Sequence, residues 1–225
     1  MCAPCSQAAE GEASARAPMN VQVLVEVIEL SAAQYSGLTF GDAALLSDDA
    51  LRAKLVQSIS DQQATVIEVS LLSSRENQSA RVVSATERIY PTEYEAPLII
   101  PTQVNGSGTK TLDKAAGYSA TAFEQRPVGT FLDIRPQVDT KGRAVVEFHW
   151  RKSGFKYFKS WASWKDEYGE SDAVMPIFSM FSAKQSVTLE NLKYHHLATI
   201  TPMKNEKERD LSKRQMIFVR SKLTP

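Results

Sequence analysis

Val128-Gly129-Thr130-Phe131-Leu132-Asp133-Ile134-Arg135-Pro136-Gln137-Val138 leads through Asp139-Thr140-Lys141-Gly142 into Arg143-Ala144-Val145-Val146-Glu147-Phe148-His149-Trp150. The four middle residues form a hairpin connection between two strands. In the second strand Ala144, Val146, Phe148 and Trp150 share one apolar face, the period-two signature of β structure. Working outward, Asn20–Leu30 sets Val21, Val23, Val25 and Val27 against Gln22, Leu24, Glu26 and Ile28. Both faces of this strand carry apolar residues, so it is expected to be central or sandwiched. Ser31–Gly41 reads as a short helix or loop. Leu51, Leu55 and Ile59 then recur at helical spacing behind Ser47-Asp48-Asp49, which supplies an N-cap and an acidic first turn.

Strand patterns return at Ala64–Leu72 and Ala80–Tyr90, joined by the turn Glu76-Asn77-Gln78-Ser79. Pro91, which donates no ladder hydrogen bond, is expected to end the second of these. Residues 91–121 read as a long hairpin or loop bracketed by Pro91, Pro97 and Pro101, with a mobile tip at Asn105-Gly106-Ser107-Gly108. Ser186–Thr201 and Gln215–Ser221 complete the strands. Strands and helices do not alternate regularly, which argues against a doubly wound parallel sheet. The expected class is mainly β (α+β), antiparallel, with one or two helices near the N-terminal end. Residues 1–19 are expected to be a flexible tail and 20–225 one domain.

The chain has 225 residues, enough for a substantial core. Lys and Arg total 26 and Asp and Glu 26, so the net charge is zero and no general basic surplus points to nucleic acid. Hydrophobic residues at 43% and charged residues at 23% are globular proportions. No apolar run approaches the roughly 18–20 residues of a membrane helix. Strands donated to a shared barrel remain compatible, because their signal is short and alternating. No intact signal peptide is visible, since no basic start leads into an apolar stretch.

The fragments that resemble chemical motifs fail on spacing. Cys2 and Cys5 lie in the tail with no strand before them and no further metal ligands nearby, so incidental thiols are the expectation. In Gly106-Ser107-Gly108-Thr109-Lys110-Thr111 the lysine does not follow the last glycine, unlike a phosphate loop. His195 and His196 are adjacent in a strand and point to opposite faces, so they cannot chelate one ion together. Asp166–Asp172 lacks calcium-loop spacing and reads as a solvated loop, and Lys204–Arg214 as a solvated turn or short exposed helix. No nucleophile, base or ligand set converges, so the expectation is no enzyme, catalytic residue, metal or cofactor.

Residues 150–175 form an aromatic and charged loop or hairpin. Trp150, Phe155, Tyr157, Phe158, Trp161 and Trp164 are interleaved with Arg151, Lys152, Lys156, Lys159 and Lys165. Three readings stand at this point. The rings fold over the sheet as a satellite core, they form an oligomer or membrane interface beside snorkelling lysines, or they stack on single-stranded nucleic acid. The last is the weakest.

Read in order, the segments resemble the C-terminal channel domain of the secretins, the outer-membrane ring channels of type II and type III secretion and of type IV pili. Val21–Leu30, followed by Tyr35-Ser36-Gly37-Leu38-Thr39-Phe40, resembles the family's first strand and its leucine-glycine-phenylalanine sequel. Ala64–Arg75 resembles the leucine-serine-serine-proline strand, with Arg75 where proline is common. Ala80–Glu95 resembles the segment closing on isoleucine-proline-tyrosine. The strongest match is Phe123, Glu124, Arg126, Val128 and Gly129, followed by a strand that reaches Pro136. Met175-Pro176-Ile177-Phe178-Ser179 and Gln215-Met216-Ile217-Phe218-Val219 resemble two later segments, so that Pro176 is also a motif position. Where the family carries a double glycine, Glu190–Ala198 stands instead; Thr201–Arg214 is shortened, and no counterpart of the preceding ring domains is present. The resemblance implies a non-enzymatic component of a secretion or pilus machine, in the outer membrane or periplasm, that forms or joins a ring channel. Its partners would be further copies of itself and other secretion or pilus components, with no nucleic acid. It makes 91–121 the equivalent of the gate hairpin and places 150–164 near the membrane-facing hairpin, at the interface, because each lysine at mid-membrane costs about 2–4 kcal/mol. A soluble, envelope-associated paralogue with a structural role and no pore is the alternative.

Overall fold

A strand with two apolar faces needs cover on both, and the architecture follows from that need. In a computed structural model, which describes residues 17–40, 46–97, 103–104, 110–111, 117–166, 169–205 and 208–225, β1 (Asn20–Ser31) runs through the middle of a four-stranded sheet. Its neighbours are β2 (Ala64–Arg75) and β10 (Lys213–Thr224), and β9 (Tyr194–Ile200) lies beyond β10. A second four-stranded sheet has the order β3 (Ala80–Glu95), β6 (Ser119–Val138), β7 (Ala144–Asp166), β8 (Gly169–Leu189). All pairings within both sheets are antiparallel. The short strands β4 (Gln103–Val104) and β5 (Lys110–Thr111) pair only with each other.

The two sheets face each other across one core. Val21, Val23, Val25 and Val27 of β1, with Ile217 and Val219 of β10, meet Leu132, Ile134, Ala144, Val146, Phe148, Trp150 and Leu189 of the second sheet. The opposite face of β1 carries Ile28 and Leu30, which pack with Met216 and Phe218 beneath two helices. Helix α1 (Ala32–Thr39) opens with a capping box: Ser31 Oγ accepts from the Gln34 N–H, and the Gln34 side chain accepts from the Ser31 N–H. Helix α2 (Asp48–Ser60) is capped by Ser47, whose Oγ accepts from the Ala50 N–H at 3.3 Å, while Asp48 and Asp49 complement the positive end of the dipole. Leu51 and Leu55 anchor α2 on the sheet. Beside them the Glu26–Arg52 pair closes at 2.7 Å, Asp49 accepts from the Tyr194 N–H at 2.7 Å, and Tyr194 lies between the guanidinium groups of Arg52 and Arg220.

Several segments run differently from the sequence reading. Strand β3 does not stop at Pro91 but continues to Glu95, with Pro91 opposite Phe123 and a register slip just after it. β3 is an edge strand, where a missing N–H on the outer side leaves no ladder bond unmade. The paired hairpin is longer than its apolar part, because β6 begins at Ser119 and β7 reaches Asp166. Ser186–Thr201 is not one strand: β8 ends at Leu189, Leu192 takes a left-handed φ of 65°, and β9 starts in the other sheet. Of the acidic stretch 166–172, Gly169–Asp172 is paired with β7 rather than looped out. Lys213 and Arg214, read as part of an exposed turn, open β10. The tail with Cys2 and Cys5, and the Asn105–Gly108 tip, lie outside the described residues.

Trp150 has no hydrogen-bond partner for its buried indole N–H among the described residues. Its contribution is therefore volume. Trp150→Ala is expected to destabilise by about 3–5 kcal/mol. Trp150→Phe, which leaves a smaller void and also removes the lone donor, should cost less. Urea midpoints of the two variants check this, and equal losses would contradict it.

Candidate assembly surface

The second sheet is longer than the core it covers. The β6–β7 ladder ends at the pair Gly129–Ser153, while β3–β6 continues to Glu95–Ser119 and β7–β8 to Asp166–Gly169. Past that point the sheet divides into two ribbons. Gly129 sits at the fork with φ 153°, and a Cβ there would lie 2.1 Å from the Ser84 carbonyl oxygen and 2.6 Å from Ala85 Cα. Only glycine permits that approach. Ser153 holds the fork together, because its Oγ accepts from the Gly129 N–H at 3.2 Å and donates to the Pro127 carbonyl at 2.9 Å.

Beyond the fork the ribbons turn toward each other and meet through side chains. Arg88 Cζ stands 4.0 Å from the centroid of Phe155, and Arg126 Cζ 4.7 Å from that of Phe178. Tyr90 packs edge-on against Phe178 at 5.6 Å and donates from its hydroxyl to Glu124 at 3.1 Å. Phe155 also meets Phe158 at 5.1 Å and Phe178 at 6.1 Å. Such arginine–ring contacts supply adhesion without backbone pairing. At the far end Tyr94 reaches Val174, with the Val174 N–H donating to Tyr94 Oη at 3.0 Å and Oη donating to the Val174 carbonyl at 2.8 Å. The Tyr118 N–H donates to Ser171 Oγ at 2.8 Å.

The residues grouped by sequence density fall into three environments. Trp150 is only 1% exposed and belongs to the inter-sheet core, in step with Ala144, Val146 and Phe148. This corrects its grouping with the surface rings. Phe155 is half-buried in the arginine–aromatic seam. Tyr157, Phe158 and Trp161 are exposed, Trp161 at 65% with the Lys159 ammonium 5.5 Å from its ring, and Trp164 is half-buried. Ile89, Phe123 and Met175 are exposed on the same ribbons. Among the motif positions, Glu124 and Arg126 join the seam and Gly129 makes the fork. Val128 is half-buried, as is Pro176, which pairs with Phe158. Pro136 is buried, and its carbonyl accepts from the Asn77 N–H at 2.8 Å. Density along the chain missed Arg88, Tyr90, Tyr94 and Phe178, because they converge only after the sheet curls.

Nearer the core, the outer face of the second sheet is polar. Asp133 pairs with Arg81 and, at 3.4 Å, with Arg151, and stands opposite His149 in the β6–β7 register. Burial pushes the Asp133 carboxyl up, but the Arg81 hydrogen bond and the charges of Arg81 and Arg151 outweigh it and hold the group below its ordinary value. Burial, with the charge of Arg151, holds His149 below its ordinary 6.5. His196, stacked on Phe218 and bonded to Thr199, is lowered mainly by burial. Among the described residues no three His, Cys, Asp or Glu side chains gather to hold a metal, and no helix is long and apolar enough to cross a membrane.

The sequence matches no protein-family model and no curated protein. Solved structures similar to this chain include the type II secretin GspD of enteropathogenic Escherichia coli, at 11% identity over 93% of this chain and 70% of that one, with a TM-score of 0.47. The InvG secretin-domain β-barrel of the Salmonella injectisome is 12% identical over 93% of this chain and 64% of that one, at 0.46. The type IV competence pilus secretin PilQ of V. cholerae is 13% identical over 93% and 62%, at 0.44.

Gly129→Ala is expected to cost about 2 kcal/mol or more, because β6 must withdraw from β3. A urea midpoint within error of the parent would contradict the close approach. Stability should also depend on pH. A histidine with a lowered folded pKa binds protons more readily when unfolded, so stability is full above about 6.5 and declines as pH falls below it. The Asp133 contribution is present above its unfolded pKa and is lost as pH falls through its lowered folded value. Urea midpoints should therefore drop between pH 7 and 5 and drop again in stronger acid. Replacing His149 and His196 by Gln should flatten the first decline and leave the second.

Proposed function

We propose that the chain is a secretin-like subunit of an envelope secretion or pilus machine, acting by assembly and not by catalysis. The observation that carries this reading is the second sheet's topology. It has an even number of strands, all antiparallel, so its edge strands β3 and β8 run in opposite directions. Successive copies can add β8 to the next copy's β3 antiparallel, head to tail, and such a contact closes into a ring or barrel. Long edges left open within one chain are templates for that pairing. The order of the secretin-like segments from Val21 to Val219 supports the same reading independently.

The exposed Ile89, Phe123, Phe158, Trp161 and Met175 give the ribbons an apolar surface, with Lys156, Lys159 and Lys165 interspersed. That mixture suits a membrane interface better than a lipid core. Localisation in the outer membrane or periplasm follows, with further copies of the chain and other components of the machine as partners. The alternative, an envelope-associated paralogue without a pore, is favoured by one specific contact: Tyr94 occupies part of the β8 edge within the same chain.

Light scattering of the purified protein with and without detergent separates the two. The channel reading expects a large, detergent-dependent assembly that shrinks or leaves liposomes when Trp161 and Trp164 are both replaced by Ala. A monomer in both conditions would transfer the protein to the accessory role.

A further inference from the structure

The two ends of the β8 edge are in different states. From Met180 to Ser186 the strand has β7 as its one ladder partner among the described residues, and its outer face exposes Met180, Ser182, Lys184 and Ser186. Between Ser171 and Val174 it is covered by the chain's own β3 end and by the entry to β6. Tyr94 Oη accepts from the Val174 N–H at 3.0 Å and donates to the Val174 carbonyl at 2.8 Å. A hydroxyl can do both at once. A single side chain therefore satisfies both backbone groups of one edge residue, the groups an incoming strand would use. Three residues away, Ser171 Oγ accepts from the Tyr118 N–H. Gly117 comes so close that a Cβ on it would lie 2.0 Å from Ser171 Oγ and 2.6 Å from Ser171 Cβ. Behind these contacts the Tyr90–Phe178, Arg126–Phe178 and Arg88–Phe155 seam holds the ribbons together.

We propose that this clasp is an autoinhibitory latch, in which the distal ends of β3 and β6 occupy the part of the β8 edge that a second copy must take. The proposal rests on the ring-forming reading above. Pairing between copies starts at the open stretch near Lys184 and advances toward Val174. There the incoming β3 displaces Tyr94, and side-chain hydrogen bonds are exchanged for backbone ladder bonds. The exchange conserves the number of satisfied groups, so the latch slows assembly with little effect on the finished contact. It also opens β3, because the Tyr94 end is freed in the same step. One event thereby exposes both edges that head-to-tail addition requires, and an isolated chain is guarded against indiscriminate edge pairing.

Two measurements test this, one on the isolated chain and one on assembly. In plain buffer, Tyr94→Phe should speed amide exchange at Val174 roughly tenfold, the effect of losing a local hydrogen bond or two, and leave Leu132 unchanged. In detergent micelles the same variant should assemble roughly tenfold faster by time-resolved light scattering. For the locked form, Gly117→Cys and Ser171→Cys are introduced with Cys2→Ser and Cys5→Ser. A small relaxation brings their Cβ atoms into disulfide range. Oxidised protein should remain monomeric, and adding reductant should release it to assemble. The latch is overturned by Val174 exchange that ignores Tyr94→Phe, or by oxidised protein that assembles at the reduced rate. A chain that stays monomeric in every form, latched or not, instead removes the ring reading and the gating role with it; lost Val174 protection in Tyr94→Phe would then mark the clasp as purely structural.

Discussion

β1 has apolar side chains on both faces, and water must be excluded from each. Val21, Val23, Val25 and Val27 are satisfied by the second sheet, and Ile28 and Leu30 by the helical layer. Three layers are the outcome: helices, sheet, sheet. The second sheet could cover β1 with about half its length, since the buried positions of β6 stop at Thr130 and those of β7 at Trp150. What lies beyond is surplus to the core, and on that surplus the exposed rings and open edges are found.

The surplus is shaped by close contacts and not by hydrophobic burial. Gly129 brings β6 against β3, and Ser153 tethers the two ribbons where they part. Arginine faces and aromatic rings then hold them at a distance where backbone pairing has ceased. Each of these contacts is worth about 1 kcal/mol, far less than the inter-sheet core. The distal ribbons can consequently rearrange without disturbing β1 and its neighbours. Stability and adaptability are divided between the two halves of the same four strands.

Much of this was legible in the sequence, and what was not has physical reasons. The two-faced Val21–Leu30 pattern, the capping start at Ser47-Asp48-Asp49 and the Asp139–Gly142 turn each encode local geometry, and each specifies its element. Trp150 illustrates two signals in conflict. Alternation with Ala144, Val146 and Phe148 puts it in the core, whereas the density of rings after it puts it on the surface, and alternation is the signal tied to geometry. Pro91 misleads because its effect depends on whether a strand has a neighbour on that side, which a local pattern does not reveal. The Arg88–Phe155 and Tyr94–Val174 contacts join strands that are not ladder partners. No periodicity encodes them, because they arise from the curl of the whole sheet.

The pairing of β1 with β10 has a consequence for the order in which the molecule forms. Asn20 lies opposite Thr224, and the register continues to Ser31 opposite Lys213, so the earliest strand and the last are neighbours. During synthesis β2 can join β1 early, but the other side of β1 stays unsatisfied until β10 has emerged, after every other strand described. Contacts so remote in sequence form slowly. Meanwhile the β10 side of β1 is a bare sheet edge, open to other chains. The hairpins β3–β6 and β7–β8, built from nearer pairings, do not have to wait. The interval before β10 docks is therefore the stage at which this chain most needs protection from its neighbours.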